Sequence, residues 1–106
     1  HPEALEGLER IRETAPNHAL RAAGRILCSH PEVEAPAWVV AGARRNDAAL
    51  RYELVEEDDP AVGRLVGLSA SAEAVEVLLD LAGPPRRSDA AVTGLLAVPA
   101  SRRTSP

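Results

Sequence analysis

The chain has 106 residues, enough for one domain of the usual size, roughly 100–150 residues, and not for two. With 45% hydrophobic and 26% charged residues it has the composition of a folded globular chain, which excludes disorder, a collagen-like repeat and a disulfide-stapled mini-protein. A net charge of -4 is the wrong sign for a nucleic-acid binder, whose basic face must replace the counterions of phosphates.

A short motif recurs along the chain. His1-Pro2-Glu3-Ala4 returns as His30-Pro31-Glu32-Val33, as Asp59-Pro60-Ala61-Val62 and, more faintly, as Asp89-Ala90-Ala91-Val92, at offsets of 29, 29 and 30 residues. A capping residue followed by proline reads as a helix start, because proline gives up an amide that the first turn leaves unpaired anyway. After the first motif, Leu5, Leu8 and Ile11 make a helical face. A break at Ala15-Pro16-Asn17 follows, where Asn17 can cap a second helix carrying Leu20, Ala23 and Leu27. In the second unit Ser29-His30-Pro31-Glu32 reads as a capping box. Val33, Ala37, Val40 and Ala41 form the next face, a turn falls at Arg44-Arg45-Asn46-Asp47, and Leu50, Leu54 and Val55 continue. In the third, Asp59 caps a helix with Val62, Leu65 and Val66, and Ser69-Ala70-Ser71 makes the turn. Val75, Leu78, Leu79 and Ala82 follow, until Gly83-Pro84-Pro85 stops the helix. A short last helix starts at Ser88-Asp89, carries Val92, Leu95 and Leu96, and ends before Pro99.

The expected fold is therefore all-α: helix-turn-helix repeats over residues 1–98, stacked as a small α-solenoid. Its units are 1–29, 30–58 and 59–88, with a half unit at 89–98, and 99–106 form a flexible tail. A pair of short helices buries too little by itself, whereas stacking gives a continuous core. One Trp, one Tyr and no Phe or Met leave Ala, Val and Leu to fill that core. Ala22, Ala23, Gly24, Ala41, Gly42 and Ala82 would let helices approach closely. A compact helical adaptor bundle is the alternative architecture.

The stretch Asp59-Pro60-Ala61-Val62-Gly63-Arg64-Leu65-Val66, followed by Glu73-Ala74-Val75-Glu76-Val77-Leu78-Leu79, resembles the short HEAT-like repeats and is similar to the leucine-rich repeat variant. It departs from the HEAT pattern where an Arg usually follows Asp-Pro-x-Val, because Gly63 holds that place and Arg64 comes next. Trp38, Gly42, Ala48, Tyr52, Val55 and Pro60 also follow the tetratricopeptide order, over a span about six residues too short. The resemblance implies a bacterial scaffold of helical repeats that recognises other proteins through a ridge or a concave face.

Candidate chemistry is sparse. Cys28, His30 and Glu32 could be read as metal ligands or as a thiol with its base, but zinc usually takes four ligands, or three and a water, at defined spacings. No third group held in place and no oxyanion site accompany Cys28 and His30. The expectation is no catalytic residue, no metal and no cofactor, with a small metal-dependent or thiol enzyme centred on Cys28 and His30 as the lesser alternative. A partner protein is expected instead, with no nucleic acid and no membrane, since no apolar run reaches the roughly 18 residues of a span. The residues assigned to partner binding are Trp38, Arg44, Arg45, Tyr52, Glu56 and Glu57. Trp, Tyr and Arg dominate interface energetics. Glu56 and Glu57 belong to an acidic run that either ends a helix in solvent or receives a basic partner. Trp38 adjoins the apolar face of its helix, which favours burial. A single cysteine suits a reducing cytoplasm, and the lack of an initiator Met suggests a processed or excised piece.

Overall fold

The computed structural model describes residues 2–99, which form seven helices and no strand. These are α1 (Pro2–Ile11), α2 (Pro16–Ser29), α3 (Ala37–Arg45), α4 (Asp47–Glu57), α5 (Pro60–Ser69), α6 (Ala72–Ala82) and α7 (Asp89–Ala97). The expected all-α class is what the chain adopts. Beyond Pro99 the expected tail lies outside the described residues, as does His1.

Proline and small capping residues set most helix starts. Pro16 occupies the first turn of α2, after an Ala15 N-cap, so Asn17 sits inside the helix and caps nothing. Asp59 accepts the Ala61 amide at 2.9 Å to open α5. Ser71 and Ser88 do the same for α6 and α7 through Ala74 and Ala91, at 2.9 and 3.0 Å. Gly83 ends α6 in an extended conformation, φ -82 and ψ 171.

The second repeat start is a correction. No helix opens at His30-Pro31, and the Ser29–Glu32 capping box does not form, because Ser29 is the last residue of α2. Proline disfavours helical geometry in the residue before it, so Pro31 stops α2 at His30, with φ -129 and ψ 71. A helix begun at Pro31 would also have to run through Pro36, whose ring would collide with the Glu32 carbonyl. The helix waits until Pro36 has passed and begins at Ala37.

Nor do the helices stack in series. In a solenoid each unit touches only its neighbours, yet α2, from the first pair, packs against α5, from the third. Helix α5 is the hub, with α2, α3, α4, α6 and α7 around it. Arg64 on α5 donates to the Leu27 carbonyl at 3.0 Å, pairing an acceptor in the last turn of α2. Arg21 of α2 forms a two-pronged ion pair with Glu53 of α4. The Cα radius of gyration is 12.9 Å, the value for a compact domain of about 100 residues. One connected core runs from Leu5 to Val98.

The closest approach is between α5 and α7. A Cβ added at Gly63 would meet the Ala90 carbonyl, one at Gly67 the Gly94 carbonyl, and one at Gly94 the Gly63 carbonyl, all well inside 3.0 Å. Gly63 and Gly67 are four apart on one helix, as are Ala90 and Gly94 on the other, so each pair lines a single face. Gly24 and Gly42 also allow close contacts, but against the Leu65 and Leu20 side chains. Ala41, by contrast, is exposed.

Candidate functional site

Helix α1 rests on α2, and α3 packs on both α2 and α5. That leaves a groove with α1, the turn that follows it and the start of α2 on one side, and α3 with the segment that precedes it on the other. Two cavities make up this groove. One, of about 230 Å³, is bounded by Arg12, Glu13, Pro16 and Leu20 on one wall and by Trp38, Gly42, Arg45 and Asn46 on the other. The second, of about 290 Å³, is bounded by Leu5, Glu6 and Glu9 of α1 and by Val33, Glu34, Pro36 and Trp38. Trp38 is the residue they share.

Why Trp38 stands there follows from the local sequence. Pro36, at φ -60 and ψ 152, sets the entry to α3 and puts Trp38 in its first turn. Trp38 is 8% exposed and belongs to the core, as its place beside the α3 apolar face leads one to expect, yet it lines both cavities. The Arg12 guanidinium lies 5.8 Å from the ring centroid, a cation–π contact between the turn after α1 and α3. Asn46 ends α3 by donating from its side chain to the Gly42 carbonyl at 2.8 Å. Neither Arg12 nor Arg45 belongs to an ion pair among the described residues.

The residues expected to bind a partner fall into two groups. Trp38 and Arg45 come together at the groove, and Arg44 is exposed on the same last turn of α3. Tyr52, 71% exposed, lies on the outer face of α4 with Val55 and Glu56, while Glu56 and Glu57 are exposed at the end of that helix. Arg12 and the wall of Glu6, Glu9 and Glu34 were not among the expected residues. Their spacing shows only a charged helix, and nothing local says that α3 lies opposite.

Cys28 is half-buried in the last turn of α2, and His30 is exposed, with Nδ1 3.7 Å from the Glu32 carboxylate. Among the described residues no three His, Cys, Asp or Glu side chains are grouped as metal ligands. Two further carboxylates have structural work. Asp47 accepts from the Ser69 and Ser71 hydroxyls at 2.8 and 2.9 Å and from Arg51 at 3.1 Å. Asp58, in the left-handed region at φ 53, accepts from Ser88. In each case a helix-capping serine is tied to an end of α4.

No protein-family model matches this chain, and neither a curated protein nor a solved structure is found to be similar to it. No described helix is long and apolar enough to cross a membrane.

Proposed function

We propose that this chain is a non-catalytic protein-binding module that takes up a segment of another protein in the groove between α1 and α3. The observation that carries this reading is the pair of cavities meeting at Trp38. Two neighbouring cavities, of about 230 and 290 Å³, can each receive a side chain of a bound segment. Trp38 and two arginines that belong to no ion pair among the described residues are the residue types that anchor interfaces. A single Cys28 suits a module that works in the cytoplasm.

The outer face of α4 is the competing surface, because Tyr52 is so exposed there. A display library of random 12-residue peptides tests the choice. Selected peptides should change the emission of Trp38, the sole indole, and should lose affinity with Arg45→Glu while tolerating Tyr52→Ala. Peptides that respond only to Tyr52→Ala move the site to α4, and a library that yields no binder overturns the protein-binding reading.

A further inference from the structure

The groove is electrically polar along its length. Its Arg12 and Arg45 end carries two guanidiniums against the single carboxylate of Glu13. The other end carries Glu6, Glu9 and Glu34 with no basic residue among the described ones that line it, beside Leu5 and Val33. Both walls run in the same sense, since α1 and the turn after it pass from Glu6 to Arg12 while the facing chain passes from Glu34 to Arg45. Arg12 lies in the turn after α1, but its amide still donates to the Leu8 carbonyl at 3.0 Å, so the rise from Glu6 to Arg12 stays near the helical value, about 9 Å, which an extended chain covers in roughly three residues.

We infer that the partner segment is an extended peptide with an acidic and a basic side chain about three to four residues apart, flanking an apolar residue that packs on Trp38. The acidic side chain lies toward Arg12 and Arg45, where a guanidinium can take a carboxylate by two parallel hydrogen bonds. The basic one lies toward Glu6, Glu9 and Glu34. This inference rests on the protein-binding reading of the same groove and adds the chemistry of what enters it. Complementary charge at an interface acts mainly on specificity and on the rate of encounter, so a segment with like charges at both ends is rejected at one of them.

The experiment uses the same 12-residue display library on three proteins: the unaltered chain, Arg12→Glu/Arg45→Glu and Glu6→Arg/Glu9→Arg, each checked for helical content by circular dichroism. The unaltered chain should enrich peptides of opposite charge around an apolar centre, and these should change Trp38 emission. Arg12→Glu/Arg45→Glu should bind them about tenfold or more weakly and select peptides basic at both ends. Glu6→Arg/Glu9→Arg should select peptides acidic at both ends. Enrichment that changes Trp38 emission without a charge pattern, or with a pattern that the reversals leave intact, overturns the inference and leaves the protein-binding reading standing. Failure to enrich any peptide overturns both. A variant that loses its helical content is replaced by the single change Arg45→Glu or Glu9→Arg, at exposed positions where folding is least affected.

Discussion

The two ends of the molecule pack by different rules. Between α5 and α7 the backbones touch through Gly63, Gly67 and Gly94, and a single added methyl group would strike a carbonyl oxygen. Between α1 and α3, built from similar short helices, the walls stand apart over two cavities that share Trp38. The difference lies in what faces inward. Glycine and alanine on α5 and α7 leave no side-chain layer to separate the helices. Glu6, Glu9, Arg12 and Arg45 are long, and their charged ends must stay near water. A face of small residues closes, and a face of charged ones stays open to something else.

Glycine substitutions test this contrast, because the same added methyl group should have opposite consequences in the two regions. The largest effect is expected for Gly67→Ala. Forcing α7 away from α5 costs about 3 kcal/mol, against about 1 kcal/mol gained in helix propensity. The net loss of about 2 kcal/mol should lower the melting temperature by about 10 °C. An unchanged midpoint in urea would mean that the two helices are not held at the spacing their glycines allow.

Next is Asp47→Ala, which removes the acceptor shared by Ser69, Ser71 and Arg51. A loss of about 1.5 kcal/mol in urea unfolding is expected. No loss would show that the packed end owes its rigidity to small-residue contacts alone, without the polar tie from α4.

In the open region the sign reverses. Nothing lies within 4 Å of a Cβ added at Gly7, so Gly7→Ala should stabilise the chain by about 0.8 kcal/mol through propensity, seen as a higher melting temperature. The smallest effect is expected for Gly42→Ala. Its Cβ would stand 3.1 Å from Leu20 Cδ1, a flexible side-chain end that borders the 230 Å³ cavity and can move aside. Stability within about 0.5 kcal/mol of the original is expected, whereas a loss comparable to that of Gly67→Ala would erase the distinction between the two regions.

Much of the local structure was legible in the sequence. Asp59-Pro60, Ser71 and Ser88 are helix openings whose signals act within three residues, and the helices start where those signals lie. His30-Pro31 carried the same signal and failed, because Pro36 five residues later forbids the helix that Pro31 would begin. A start signal is local, but a helix needs every residue of its next turns to comply. The repeat was thus visible as spacing, while the helices begin at Pro2, Ala37, Pro60 and Asp89 and gather around α5.

The site divides in the same way. Trp38 could be singled out as the lone indole beside an apolar face, and Arg45 as one of a basic pair at a turn. Arg12 and the wall of Glu6, Glu9 and Glu34 could not be, since their role depends on α1 lying across from α3 rather than on any neighbour in sequence. By itself the sequence determined that the chain is helical, where most helices open and which residues are small or apolar enough to be buried, because capping, proline geometry and periodicity act within one or two turns. Only the tertiary structure decided that α5 is the hub, that Gly63, Gly67 and Gly94 close one seam and that charged side chains hold another open. Those outcomes depend on which faces meet between segments far apart in the chain, and no local rule selects them.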